Sequence, residues 1–249
     1  MKLKYIFILL ALLMTGILTS SCNQIQGLPT VVALEDSIKE VISSKGKNYD
    51  FLNDKQYMSK MSDLVDLLVD NKLIKEEHFK IANLNEDNIP ELVVFRQRNP
   101  EDVNDQGALE VYGFINDKYS LLSRVSMNYD NTNYALVIGK VGPEQNGILL
   151  NNQAGSQSAI TYGFILDDGN LVSILNPNKI NLVSINTENE IKDMDKDGIL
   201  EFSIITIDPE SNMADNKTID RIKYWYKWDG KDGADLVKFE KIKDKKSQE

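Results

Sequence analysis

The chain has 249 residues, with 28 Lys and Arg against 38 Asp and Glu, a formal net charge of −10, and a single cysteine and a single histidine. So acidic a body repels nucleic-acid phosphates and anionic headgroups, which argues against nucleic acid as a partner and leaves cations compatible with it. One cysteine excludes an internal disulfide, and one histidine leaves His78 alone to build a Ser-His-Asp hydrolase around.

At the N-terminus, Lys2 and Lys4 precede an uncharged run from Tyr5 to Leu18 that carries Ile6, Phe7, Leu9, Leu10, Leu12, Leu13 and Ile17. This is a basic n-region followed by an apolar h-region, shorter than the roughly 20 residues that cross a bilayer. It ends in Thr19, Ser20, Ser21 and Cys22, so residues 1–21 are expected to be a cleaved signal peptide. Cleavage would also remove two lysines and leave the remainder more acidic. The small residues Ser20 and Ser21 before Cys22 resemble the lipobox of bacterial lipoproteins, with Thr19 standing where that family usually has Leu. The resemblance implies a diacylglycerol thioether on Cys22 and an exported protein anchored on the extracytoplasmic face of a membrane. The alternative is a free or intermolecularly paired Cys22 after ordinary cleavage.

Residues 22–30 read as a short tether: Asn23 to Thr30 contain Gly27 and Pro29 and show no apolar periodicity. Residues 31–77 read as a helical segment. Leu34, Ile38, Val41 and Ile42 fall at helical spacing and stop before Gly46. A second helix, capped by Asn53 or Asp54, carries the stripe Tyr57, Met61, Leu64, Val65 and Leu68 down to Asn71. That stripe is expected to be core, not a partner-helix site, and His78 a surface residue near a helix end. Ser44-Lys45-Gly46-Lys47 fits S-x-x-K by letter, but no S-D-N or K-T-G accompanies it. No G-x-S-x-G elbow, Walker loop, dinucleotide fingerprint or cysteine cluster is present.

From Phe79 the period changes to short apolar runs separated by Asn, Asp and Gly, which predicts a β domain over residues 78–243 and a charged tail over 244–249. Strands are expected at Leu92 to Arg96, Ala108 to Ile115, Ser120 to Val125, Ala135 to Val141 and Gly147 to Asn151. More follow at Ile160 to Leu166, Leu171 to Ile174, Phe202 to Ile207, Ile222 to Trp228 and Leu236 to Ile242. Asp168-Gly169 suits a type I′ hairpin turn, Asp229-Gly230 is similar, and Asn116-Asp117 is a poorer version of the same turn.

The chain also repeats itself. The run from Ile81 to Leu92, IANLNEDNIPEL, aligns without a gap to the run from Ile191 to Phe202, IKDMDKDGILEF. Hairpin segments follow, Val111 to Asp117 after the first run and Tyr224 to Gly230 after the second. Between them, Tyr162-Gly163-Phe164-Ile165 reproduces Tyr112-Gly113-Phe114-Ile115. A middle unit therefore begins near Leu136, with its loop reduced to Gly139-Lys140-Val141-Gly142-Pro143. The units span about 79–130, 131–180 and 181–243, on the order of fifty residues each, a period in the range of propeller blades. At Asp193 to Glu201 above all, the sequence resembles the FG-GAP or VCBS-type repeat family, whose calcium loop D-x-D-x-D-G-x-x-D/E precedes a buried strand. The resemblance implies three degenerate propeller-blade-like antiparallel units, which the two helices read from periodicity precede. Because propellers usually need at least four blades, a β-sandwich is the alternative.

Alternate carboxylates on a tight turn supply the oxygens that calcium takes. Asp193, Asp195 and Asp197 alternate in this way, Gly198 permits the turn, the Ile199 carbonyl can join, and Glu201 reaches back from the strand. Glu at the ninth position argues against an EF-hand. The loop of Asn83, Asn85, Asp87 and Glu91 is a weaker second candidate, since only Asp87 and Glu91 are charged. The alternative for both is a metal-free Asx-turn. Tyr224, Trp225, Tyr226 and Trp228 are candidate binding-face aromatics for a protein or carbohydrate ligand, unless they pack within the sheet. The expected function is a non-catalytic envelope lipoprotein whose body is a binding or structural module with a structural calcium. A glycoside hydrolase built on a carboxylate pair is the alternative.

Overall fold

The computed structural model describes residues 55–71, 73–74, 79–85, 87, 89–96, 106–127, 134–155, 157–185, 188–211 and 220–242. Cys22, the tether, the first expected helix, Ser44 to Lys47, the caps Asn53 and Asp54, His78 and the charged tail lie outside the described residues. No helix among those described is long and apolar enough to cross a membrane.

Helix α1 (Lys55–Asp70) is the second of the two helices expected. Its stripe of Tyr57, Met61, Leu64, Val65 and Leu68 packs into one cluster with strand residues, while Leu67 on the other side is 58% exposed. Asn71 closes the helix: its backbone N–H and its side-chain Nδ2 both donate to the Leu67 carbonyl, at 3.1 and 2.7 Å. The Leu67 carbonyl of the last turn is thereby satisfied, and Leu73 N–H serves the next, that of Leu68, at 3.0 Å.

Everything else that is regular among the described residues is strand, arranged in three antiparallel sheets whose strands follow one another in chain order. The first sheet holds β1 (Phe79–Ala82), β2 (Glu91–Arg96), β3 (Gly107–Ile115) and β4 (Lys118–Met127). The second holds β5 (Tyr134–Gly142), β6 (Gln145–Gln153), β7 (Ala159–Asp167) and β8 (Asn170–Ser173). Short β9 (Val183–Ser184) pairs with the start of β7. The third holds β10 (Ile191–Lys192), β11 (Glu201–Ile207), β12 (Arg221–Trp228) and β13 (Ala234–Ile242). The protein is mainly β, with antiparallel sheets and no closed barrel among the described residues, as the change of period at Phe79 implies. Strands β1, β9 and β10 have two to four residues, too few for alternation to register, and were not expected.

Side chains alternate across each strand, and here the second strand of each sheet (β2, β6 and β11) carries apolar residues on both faces, so both of its faces need cover. On β2, Leu92 and Val94 meet α1 while Val93 and Phe95 meet the second sheet. On β6, Ile148 and Leu150 face the first sheet and Leu149 joins the cluster shared with the third. Phe202 and Ile204 of β11 complete that second junction. The order of layers is therefore α1, first sheet, second sheet, third sheet. Within the second sheet, close approach of β5 and β7 dictates a glycine at position 147, where a Cβ would stand 2.8 Å from the Phe164 carbonyl oxygen and 2.7 Å from a Val141 methyl.

Cross-strand registers are parallel between the first and third sheets. Ile81 pairs with Leu92 and Ile191 with Phe202; Leu92 then pairs with Tyr112, and Phe202 with Tyr226. In the second sheet Leu150 pairs with Tyr162. The strand equivalent of Tyr112 is thus Tyr226, not Trp225 as the hairpin alignment places it. The cause is the turn: Asn116-Asp117 and Asp168-Gly169 are two-residue turns with both residues at positive φ, whereas β12 and β13 are joined through Asp229 to Gly233. Only Gly230 of the Asp229-Gly230 pair has positive φ, so the expected I′ turn is absent there. Gly139 to Gly142, expected as a reduced loop, belong to β5, and the connection to β6 is Pro143-Glu144 alone.

Both outer hairpins carry a bulge at matching places, with Leu122 unpaired opposite Val111 and Tyr112 and Val237 unpaired opposite Trp225 and Tyr226. Strand β13 is the outermost strand of the last sheet; its Leu236 and Phe239 are 53% and 58% exposed.

The layered packing makes a contrast measurable by denaturant unfolding. Phe95→Ala, at a fully buried junction, is expected to cost about 3–5 kcal/mol. Phe239→Ala, on the exposed strand, is expected to stay within about 0.5 kcal/mol of wild type.

Candidate metal centre

The connection between the first and second strands is a long acidic or amide-rich loop in the first and third sheets, residues 83–90 and 193–200, and only two residues in the second. The two long loops share one hydrogen-bond skeleton. Leu84 N–H donates to Glu91 Oε2 at 2.8 Å, and Met194 N–H donates to Glu201 Oε2 at 2.6 Å. Asp87 N–H donates to Asn85 Oδ1 at 3.1 Å, matched by Asp197 N–H to Asp195 Oδ1 at 3.2 Å. Ile89 N–H donates to Asp87 Oδ1 at 2.7 Å, matched by Ile199 N–H to Asp197 Oδ1 at 2.9 Å.

These are the Asx-turn bonds that short side chains make to backbone two residues on. They explain why Asn and Asp alternate in both runs, and the glutamates, 2% and 0% exposed, tie each loop to its following strand. The two loops also lean on the middle sheet from opposite sides. Asn146 Nδ2 donates to the Asn83 carbonyl at 2.8 Å, and Leu200 N–H donates to the Lys140 carbonyl at 2.7 Å.

The third-sheet loop has further features. Gly198 sits at φ +86, where a side chain would be strained, and its N–H donates to Asp193 Oδ2 at 2.9 Å. Oxygens of Asp193, Asp195 and Asp197 lie within 4.8 Å of one another, so the cluster could hold a metal ion. Asp193 Oδ1 is buried without a hydrogen-bond partner. An all-carboxylate set with such an unserved oxygen fits a hard cation of the calcium type. In the Asn83 loop Asp87 and Glu91 stand at the matching positions of the same backbone plan, but the first two turn positions are the amides Asn83 and Asn85. Asn83 is 3% exposed and donates through Nδ2 to the Asp87 carbonyl.

Lys227, which sequence reasoning did not single out, enters the third-sheet loop from β12. Its Nζ lies 2.6 Å from Asp197 Oδ2, 3.2 Å from Asp195 Oδ2 and 3.0 Å from Glu201 Oε1. Partial burial pulls the ammonium's pKa down, but hydrogen bonds to Asp197, Glu201 and Asp195 outweigh it and raise the value above that of free lysine. Asp197 is correspondingly lowered, first by Lys227 and then by the Ile199 N–H. The signal for Lys227 was available only through register, because the residue opposite Glu201 is known once Phe202 is paired with Tyr226.

The four aromatics divide by strand alternation. Tyr224, Tyr226 and Trp228 face the second sheet, with Tyr226 stacked on Phe202 at 5.8 Å and on Tyr224 at 6.3 Å. Trp228 Nε1 donates to the Lys231 carbonyl at 3.0 Å. Trp225 points the other way and, at 2% exposure, presents no binding surface. Lys192 and Lys223 ammoniums stand 4.8 and 5.2 Å from its ring, and Glu190 pairs with both. Tyr224 continues outward to Phe239 at 6.2 Å, so the exposed part of this aromatic row lies at β13.

Asp197 is depressed below its ordinary 3.8, so its ion pairs add stability that is full above that value and is lost as pH falls through the lower folded value. Thermal melts from pH 6 downward should therefore show destabilisation concentrated below about pH 4, with Asp197→Asn flattening the profile. An identical acid profile in that variant would remove the ion pair as a source of the pH dependence.

Compared with protein-family models, curated proteins and solved structures, the chain shows no significant match to any of them.

Proposed function

We propose that this chain is an exported, lipid-anchored envelope protein whose folded body is a non-catalytic binding or structural module, with calcium as a clip in the Asp193 to Glu201 loop. The observation that carries the reading of the body is the hydrogen-bond skeleton common to the Asn83 and Asp193 loops, each set between the first two strands of a four-stranded sheet. Two such units flank a third sheet of the same strand order, which supports reading the three as propeller-blade-like units in an open stack, with α1 covering one end.

Asp193, Asp195, Asp197 and Glu201 would hold calcium, with the Ile199 carbonyl as a further ligand. The ion would neutralise clustered carboxylates and hold the loop against the strand that follows. Four carboxylates and a carbonyl from one loop and its following strand would supply most of the ligand set, which supports a structural metal. A partner surface is supported by exposed Leu236 and Phe239 beside half-buried Tyr224, with protein or carbohydrate as the ligand class. The anchor reading rests on Ser20, Ser21 and Cys22 after the apolar run.

Chelation by EDTA should lower the melting temperature of the full chain, and added calcium should restore it, in proportion to the free ion over its dissociation constant. A melt indifferent to both would remove the metal from the reading. Separately, Cys22→Ser should release the protein from the membrane fraction of the expressing cell, whereas continued retention in that fraction would overturn lipidation as the anchor.

A further inference from the structure

Lysine carries three N–H donors, and Lys227 faces one oxygen each of Asp195, Asp197 and Glu201. Its capacity ends there. The fourth acid of the cluster, Asp193, keeps a buried oxygen with no hydrogen-bond partner. Glu201 is 0% exposed and aims Oε1 at the same space, where its one partner among the described residues is the ammonium at 3.0 Å. One positive charge thus sits among four carboxylates and serves three of them, in a space that a cation taking six to eight oxygens could serve in full.

Register shows that this lysine is particular to the third sheet. With Leu92 opposite Tyr112, Leu150 opposite Tyr162 and Phe202 opposite Tyr226, the residues next along β3, β7 and β12 are Gly113, Gly163 and Lys227. The most acidic loop is therefore the one that receives an ammonium from its own sheet. Lys227 also has a second seat. Asp235 stands directly across from it on β13 and is exposed, and cross-strand neighbours at roughly 4.5–5.5 Å between Cβ atoms are within reach of a lysine.

We propose that Lys227 is a built-in competitor for the divalent cation of the Asp193 to Glu201 loop, holding the acids together in the metal-free protein and swinging toward Asp235 when the loop is loaded. This rests on the calcium reading of the same loop. Lys227 keeps the buried Glu201 paired without metal, so the fold does not depend on metal to form, and it sets the calcium concentration at which the loop fills. The third-sheet loop is on this account a threshold site, weaker for calcium than its four carboxylates alone would make it.

The test compares the purified full chain with Lys227→Met, Lys227→Arg and Asp193→Asn, titrated with CaCl2 by calorimetry and followed by thermal melting in EDTA and in calcium. Lys227→Met should bind calcium on the order of tenfold more tightly than wild type. It should melt lower than wild type in EDTA and show the larger calcium-dependent rise, a readout that survives even if the variant is unfolded without metal. Lys227→Arg should keep the wild-type affinity or weaken it, and Asp193→Asn should lose binding. Calcium binding by Lys227→Met alone would also support the competitor, as a complete one. Equal affinity in wild type and Lys227→Met would overturn the competition and leave the metal reading standing. Absence of binding in both would overturn the two together.

Discussion

The second strand of each sheet is apolar on both faces, and a strand with two apolar faces is stable only between two covers. Leu92, Val93, Val94 and Phe95 are consecutive and all fully buried, which one-sided burial could not achieve. The stack follows from this requirement. Helix α1 takes the outer face of the first sheet, the second sheet is covered on both sides, and the third closes the inner junction through Phe202 and Ile204. The stability of any one sheet is therefore shared with its neighbours, and the burial of each large side chain, worth about 1.5–3 kcal/mol, counts toward two layers at once.

The acidic loops belong to the same economy of layers. Each feeds the strand that carries the buried pairings, and each is tied to it by a glutamate whose carboxylate accepts a loop N–H. Burying a carboxylate is costly unless it is hydrogen-bonded and charge-compensated. Glu201 meets both conditions through Met194 and Lys227. The contacts of Asn146 with the Asn83 loop and of Lys140 with Leu200 of the other loop make the middle sheet the common platform. Its own two-residue connection, Pro143-Glu144, leaves room between the loops for those contacts.

The far side of the third sheet shows how charge can replace a covering layer. Trp225 is nearly inaccessible although it faces away from the second sheet, because Lys192 and Lys223 lie over the indole and Glu190 holds both ammoniums in place. Each cation over an aromatic face is worth about 0.5–2 kcal/mol, more as water is excluded. The aliphatic stems of the lysines supply the apolar contact; the Lys192 head stays near water, and the buried Lys223 head is held by Glu190 and the Glu188 carbonyl. An aromatic that looks like a ligand platform in the sequence is thus a packed element of the sheet, and the surface that remains is the outward row ending at Phe239.

Much of this was legible in the residues themselves. Alternation and turn chemistry located ten of the strands because those signals are local: a buried strand must be apolar, and a two-residue hairpin must have positive φ, as at Asp168-Gly169 and Asn116-Asp117. The gapless match of Ile81 to Leu92 with Ile191 to Phe202 likewise determined the loop geometry, since Asx-turns are made within the run. Hairpin register was not local. The five-residue connection after Trp228 displaced the alignment by one, and with it hid the placement of Lys227 opposite Glu201. Which face of β12 would be covered, and by what, depended on residues far apart in the chain, Lys192, Glu190 and Glu240 among them. Local hydrogen-bonding and conformational preference are written in neighbouring residues, so the sequence alone determined strands, turns and loop skeletons. Pairing partners are chosen by burial across the whole stack, and for that reason only the tertiary structure decided that Lys227 shares its site with the acids and that Trp225 does not face a ligand.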